Sequence, residues 1–332
     1  MPKFLIIRFS SIGDIVLTTP VIRCIKQQVE GAEVHYLIKK SFEKIVSLNP
    51  HISKTHCIEK DIYEVIDVLK KEKYDYVIDL HSNIRSLQVR LALGTKGFSF
   101  NKLNFKKWLL VTLNINKLPS LHIVERYLEP LKQLGIVNDL KGLEFYIPEK
   151  DEVNLSSLPI PQQKGYIGIV IGAAHFTKRL PDEKIIEVCK KLQQAIVLLG
   201  GKDDKENGEK IASAVGEKVY NACGIYNLQQ SASLVKQAKA IITNDTGLMH
   251  IAAAFKKDTV SVWGNTVPEF GMYPYLSGKE GNGRGATIQV NGLSCRPCSK
   301  IGHSKCPKGH FNCMTDIDSN SVVKLVEAYL DK

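Results

Sequence analysis

Short unbroken apolar runs alternate along this chain with stretches in which apolar residues recur at helical spacing. Residues 4–7 (Phe-Leu-Ile-Ile), 34–38 and 76–80 are such runs in the first half, with 55–58 a weak strand, and 166–171, 195–199, 240–243 and 259–263 in the second, with the shorter 218–220. Runs of this length without polar alternation predict strands buried on both faces. Between them, Val21, Ile22, Ile25 and Val29 keep a helical period, and Thr18-Thr19-Pro20 opens that helix with a proline in its first turn. Further helices are predicted over 42–48, 62–69 and, at the close, 321–330, where Val322, Val323, Leu325, Val326 and Leu330 form the apolar side. Strand and helix in alternation mean a parallel sheet covered by helices, an α/β architecture. Residues 148–164, with Pro148, Pro159 and Pro161, carry no period and read as a linker. The expected organisation is two Rossmann-like domains, 1–155 and 156–332, whose parallel sheets face a cleft.

Composition narrows the classes. No stretch reaches the roughly 20 apolar residues of a spanning helix, and the short N-terminal run followed by Arg8 reads as a strand, so a cytoplasmic protein is expected. The net charge of +11 is divided almost evenly between the two halves, which argues against a basic tail and for an anionic partner. With no recognised binding module and no stacking-aromatic motif, nucleic acid is not that expected partner. Between residues 85 and 124, Arg85, Arg90, Lys96, Lys102, Lys106, Lys107 and Lys117 occur without an acidic residue. Within that stretch, residues 105–111 mix lysines with Phe105, Trp108 and aliphatics; this reads either as an ordinary packed amphipathic helix or as one that dips into a membrane interface.

Three loops carry candidate chemistry. Arg8-Phe9-Ser10-Ser11-Ile12-Gly13-Asp14 puts a carboxylate on the turn after the first strand, where Gly13 is expected to take a conformation that other residues resist. The plainer reading is that Ser10, Ser11 and Asp14 cap the following helix. The 172–179 loop, ending Lys178-Arg179, overhangs the first strand of the second domain, a place where loops commonly meet phosphate. Gly200-Gly201-Lys202-Asp203-Asp204 offers close backbone approach and an acid for ribose hydroxyls. Residues 244–250 (Asn-Asp-Thr-Gly-Leu-Met-His) run from a buried strand into a helix whose first N–H groups suit a diphosphate, with Asp245 and Thr246 as caps. Separately, Cys295, Cys298, Cys306 and Cys313, with His303 and His310 nearby, read either as a structural zinc knuckle or as free thiols.

Residues 8–20 (Arg-Phe-Ser-Ser-Ile-Gly-Asp-Ile-Val-Leu-Thr-Thr-Pro) and 244–250 together resemble the bacterial heptosyltransferase family, glycosyltransferase family nine, and the resemblance covers nearly the whole chain. It implies a GT-B fold, with an acceptor-binding N-terminal domain and a nucleotide-sugar-binding C-terminal one, whose last helix often crosses back. Asp14 matches the family's proposed catalytic base. Lys178 matches its phosphate-binding lysine, assigned to catalysis and donor binding. Thr246 and Gly247 match the diphosphate loop, and Asp245 and His250 the rest of the nucleotide motif. Asp203 stands where members often have Glu and is expected at the ribose. Ser10, Arg85, His122 and Arg126 fall where similar enzymes bind an anionic acceptor. The implied activity is inverting, metal-independent transfer of a heptose from ADP-heptose to a lipopolysaccharide inner-core glycolipid, with transient contact at the inner membrane surface and no cofactor required. Alternatives are another nucleotide-sugar donor or glycan acceptor, or a non-catalytic nucleotide-sugar or nucleic-acid binder. A dinucleotide oxidoreductase is disfavoured because the first turn lacks the glycine-rich fingerprint.

Overall fold

In the computed structural model, residues 1–276 and 283–331 are described, and the chain forms two compact units. The first comprises residues 1–102 and 121–146, the second 103–120 and 147–332.

The first unit opens with β1 (Lys3–Ile7), the short α1 (Ile12–Val16) and α2 (Thr19–Gln28), then β2 (Glu33–Lys39), β3 (Lys54–Ile58), α3 (Tyr63–Lys71), β4 (Tyr76–Asp79), α4 (Ile84–Leu93) and β5 (Lys96–Ser99). All strands are parallel, in the order β3-β2-β1-β4-β5. The apolar run of β1 is buried on both faces because it lies between β2 and β4, where Leu5, Ile7, Leu37 and Val77 enter one core with residues of α3. From β1 the chain builds outward through β2 and β3, then returns to add β4 and β5 on the other side. The β1–β4 crevice is therefore the topological switch point, where open α/β sheets bind ligands at their strand carboxyl ends.

The helix α5 (Asn104–Leu113) counts with the second unit and α6 (Ile123–Leu128) with the first. The second unit continues with α7 (Ile160–Gln163), β6 (Tyr166–Val170), α8 (Asp182–Lys191), β7 (Ala195–Leu199), α9 (Lys205–Val215), β8 (Val219–Asn221), α10 (Leu228–Gln237), β9 (Ala240–Asn244), α11 (Gly247–Ala254), β10 (Thr259–Trp263), β11 (Gly285–Gln289), α12 (Asn312–Thr315) and α13 (Ser319–Leu330). Its six parallel strands run β11-β10-β9-β6-β7-β8, so β6 and β9 flank this unit's own switch point.

Several expectations change in detail. The segment predicted as a helix over 42–48 is a single 3-10 stretch, Lys40–Ile45. Gly13 lies inside α1, buried and helical, and does not take the unusual backbone conformation expected of it. The 148–164 segment is bound to the second unit: Val153 N–H donates to Ser233 Oγ at 2.9 Å, Glu152 pairs with Lys236 at 2.7 Å, and Gln162 reaches the Lys218 carbonyl at 3.0 Å. The unit boundary accordingly falls at 146/147. The closing helix α13 is capped by Asp318 and stays in the second unit, adding Val322, Val323 and Val326 to its core. The pattern missed α4, β5 and β11; both strands lie at sheet edges, where one-sided burial leaves a weak apolar signal.

Candidate active site

At the carboxyl end of β1 the chain turns sharply and Arg8 folds back beneath the turn. Its guanidinium donates to the Leu80 carbonyl, to Ser10 O at 2.8 Å and to Tyr127 Oη at 3.3 Å, and it pairs with Asp14 Oδ1 at 2.7 Å. Burial works against the Arg8 charge, but the facing Tyr127 and Asp14 outweigh it and the group stays protonated. The other Asp14 oxygen accepts from Ser11 Oγ at 2.8 Å and from Ser11 N–H at 3.3 Å. Asp14 is thus both a cap for α1 and a half-buried carboxylate fixed through each of its oxygens. Capping holds it in place without hiding it.

The loop after β4 supplies the opposite wall of this crevice. Asp79 accepts from the N–H groups of His81 and Ser82 at 3.0 and 2.6 Å and from Ser86 Oγ at 2.8 Å, which sets the start of α4. His81 packs on Phe9 with ring centroids 4.9 Å apart. Burial, then the positive charges of Arg8 and Lys102, push its imidazole down to about 4, so it is neutral at neutral pH. Burial and Arg8 likewise depress Lys102. Arg8 heads the Asp14 stretch, Lys102 falls in the acid-free run and His81 in the polar turn after β4, but the sequence assigns none of the three a role in the site. Among the expected acceptor residues, Ser10 shares the Asp14 turn. His122 is the buried N-cap of α6, its Nδ1 accepting from Val124 N–H at 3.2 Å, and Arg126 is buried one turn on. Arg85 stands exposed on α4.

In the second unit, Lys178 and Asp245 come from the loops after β6 and β9, the two strands at its switch point. Lys178 Nζ lies 2.6 Å from Asp245 Oδ2, and Thr266 Oγ1 donates to the same oxygen at 2.9 Å. Asn244 ties the two loops together: its side chain donates to Val170 O and Ile171 O and accepts from Leu180 N–H at 3.1 Å. Thr246 is the N-cap residue of α11 by backbone conformation, yet its side chain makes no capping bond; Met249 N–H turns back to the Thr246 carbonyl at 3.2 Å, and the Gly247 and Leu248 N–H groups are left uncapped by that side chain. His250 is buried further along the same helix. A lysine beside uncapped amides suits a diphosphate.

Asp203 is exposed, whereas Asp204 is buried, pairing with Arg179 at 3.1 Å and accepting from Gly201 N–H at 2.8 Å. Gly172 makes this possible, since a Cβ there would meet Asp204 Oδ2 at 2.1 Å. We therefore expect Gly172→Ala to destabilise the protein by about 1–3 kcal/mol, as an overpacked site does. An unchanged urea midpoint would show that the loop gives way freely. Beside this pair lies a cavity of about 290 Å³ lined by Phe176, Arg179, Asp182, Asp204 and Phe311, with the two phenyl rings stacked 5.0 Å apart.

The cysteine-rich loop is laced onto these donor-side loops. Thr177, next to Lys178, exchanges bonds with His303 backbone N–H and C=O at 2.8 and 3.2 Å, and Cys298 N–H reaches Asn265 O at 3.3 Å. The Arg296 guanidinium gathers the carbonyls of Gly264 and Thr266 and the side chain of Gln289. All four thiols are free, and burial pushes Cys313 up to about 11. Cys295 Sγ is 3.6 Å from His310 Nε2. Among the described residues the grouping with three ligand atoms within 4.8 Å of one another is His35, His56 and Glu72 in the first unit, and the cysteines do not form one. The four thiols nonetheless face one another: burial first, and then the neighbouring thiols, push Cys298 and Cys313 up. Arg296 and backbone bonds brace their loop.

Comparison with known proteins bears on the family and the fold. The profile described as glycosyltransferase family 9 (heptosyltransferase) matches residues 62–305. A relative, lipopolysaccharide heptosyltransferase 1 of Campylobacter coli, is 25% identical over 293 residues, covering 80% of this chain and 84% of its own. The solved structure of Escherichia coli ADP-heptose LPS heptosyltransferase II superposes with a TM-score of 0.72 at 23% identity, covering 99% of this chain and 98% of that one. A glycosyltransferase family 9 structure from Veillonella parvula gives 0.77 at 20% identity, covering 99% and 97%. The fold class is GT-B.

Proposed function

Since the chain belongs to glycosyltransferase family 9, the heptosyltransferases, we propose that it transfers a heptose from ADP-heptose to a lipopolysaccharide inner-core acceptor, with Asp14 as general base. The observation that carries this reading is the Asp14 turn, a half-buried carboxylate held by Arg8 and Ser11 at the switch point of the first sheet. A sugar hydroxyl is a poor nucleophile, and a fixed carboxylate within hydrogen-bond reach takes its proton as it attacks the anomeric carbon. Attack opposite the leaving diphosphate inverts that carbon. The departing ADP gathers negative charge, which Lys178 and the first-turn amides of α11 stabilise, while Asp245 orients the lysine. Thr246, Gly247 and His250 complete the diphosphate side, and Asp203 stands exposed toward a ribose. Ser10, Arg85, His122 and Arg126 hold the anionic acceptor. No step in this proposal is assigned to a metal or an organic cofactor.

No helix among the described residues is long and apolar enough to cross a membrane. The proposed enzyme meets its glycolipid from the cytoplasmic face as a peripheral protein. Calorimetric titration with ADP-heptose, with GDP- and UDP-sugars and NAD as competitors, tests the donor assignment. Preferential binding of ADP-heptose is expected. Preference for another nucleotide-sugar would change the donor and keep the enzyme class; NAD binding alone would overturn the donor reading altogether.

A further inference from the structure

The helix α5 presents an outer face that a water-soluble surface does not call for. Inward, Leu110 packs with Val267 and Phe270, and Lys107 lies 5.7 Å from the centre of the Phe270 ring, so the helix is fastened to its own unit. Outward, Phe105 is 70% exposed and Trp108 45%, their rings stacked 6.1 Å apart one helical turn from each other, with Leu113 and Ile115 exposed just beyond. Large aromatics held together in water at one turn's spacing are an interaction surface rather than scattered exposure. Along this stretch of chain the charge has a single sign, and an acid brought near α5, Glu269, lies on the Val267–Phe270 side against which Leu110 packs. From residue 80 to 124 there is no acidic side chain, and Lys106, between the two aromatics in sequence, and Lys117, beyond the helix, are both exposed. In the first unit, the same acid-free stretch carries α4, where Ile84, Leu87 and Leu91 form an exposed apolar stripe at i, i+3 and i+7 beside exposed Arg85.

We propose that α5 docks the enzyme on an anionic phospholipid surface, Phe105 and Trp108 entering the headgroup–acyl boundary while Lys106 and Lys117 meet lipid phosphates. Trp108 favours that boundary because its ring is apolar while its indole N–H can stay hydrated, and Phe105 adds apolar area to bury. Each lysine near an anionic leaflet adds attraction that fades within a Debye length, so the two contributions separate by salt. A purely apolar partner would leave the acid-free stretch without a role, and an acidic soluble partner would leave the stacked aromatics in water. This surface deepens the glycolipid reading and rests on it for its purpose, since an enzyme that reads a lipid-anchored acceptor gains by concentrating at the bilayer.

The test needs neither donor nor acceptor, so its failure is separable from failure of the transfer reaction. The full chain is mixed with phosphatidylcholine vesicles, with and without phosphatidylglycerol, and followed by co-sedimentation and tryptophan emission. Of the two tryptophans, Trp263 is 1% exposed, so a vesicle-dependent blue shift reports Trp108. Binding and a blue shift are expected with phosphatidylglycerol vesicles, reversed by salt. Phe105→Ser/Trp108→Ser and Lys106→Gln/Lys117→Gln should each lower partitioning at least roughly tenfold. Turnover on a delipidated acceptor should be unchanged in both. Equal binding to phosphatidylcholine alone, or parental binding by the double serine variant, would overturn the proposal. So would self-association in solution that this variant abolishes without any vesicle binding, because a second copy would then occupy the face.

Discussion

Asp14→Asn is expected to lower heptosyl transfer by about 10²–10⁴-fold, the span general-base catalysis supplies, while ADP-heptose affinity holds, because Asp14 lies in the first unit and the proposed donor loops lie in the second. Asn keeps the size of Asp and still accepts from Ser11, but it cannot take the acceptor proton. It also removes the 2.7 Å ion pair with Arg8, so part of the loss could be structural. Two comparisons separate these. Arg8 keeps its bonds to the Leu80 and Ser10 carbonyls, so the thermal midpoint of the variant should fall only slightly. Ser11→Ala loses the 2.8 Å Oγ bond and retains the carboxylate; its transfer rate should drop by no more than about tenfold if orientation is all that Ser11 provides. Parental turnover in a folded Asp14→Asn protein would remove Asp14 as the base.

Lys178→Ala acts on the other substrate. Its ammonium has three donors, and with Asp245 Oδ2 at 2.6 Å taking one, the others remain for a diphosphate. Losing it should weaken ADP and ADP-heptose binding by at least about tenfold and reduce kcat/KM by about 10²–10³, the loss seen when a preorganised donor to a departing anion is deleted. Lys178→Arg should recover part of the binding and less of the rate, since a planar guanidinium does not reproduce a point charge aimed by Asp245. Calorimetry with ADP alone decides the matter: an unchanged dissociation constant would mean that Lys178 serves only the Asp245 pair. The contrast with Asp14→Asn, where donor affinity holds and turnover does not, makes the two roles independently testable.

How much of this was legible in the chain depends on the physical range of each interaction. Central strands announce themselves because apolar side chains dominate both of their faces, as in β1, β4, β6, β7, β9 and β10, with polar residues few and mostly near their ends. Edge strands β5 and β11 do not, since one side faces water and Gly97 and Gly285 weaken the run. The Asp14 and Asp245 turns could be located because they directly follow buried strands. Their partners are less visible. Thr266 meets Asp245 across 21 residues, Tyr127 meets Arg8 across 119, and His303 meets Thr177 across 126. No local pattern encodes such separations.

The sequence by itself determined the α/β alternation, the two-unit plan, the strand-end positions of Asp14, Lys178 and Asp245, and the basic aromatic character of residues 105–111. Period and propensity act over a few residues and are written wherever they act. Only the tertiary structure decided strand order, which makes β1–β4 and β6–β9 the switch points; it also decided that α13 and 148–164 stay with the second unit. It separated buried Asp204 from exposed Asp203, and it turned Phe105 and Trp108 outward while Leu110 turned in. These outcomes depend on which surfaces meet, and burial of distant side chains against one another is settled by the packed chain as a whole.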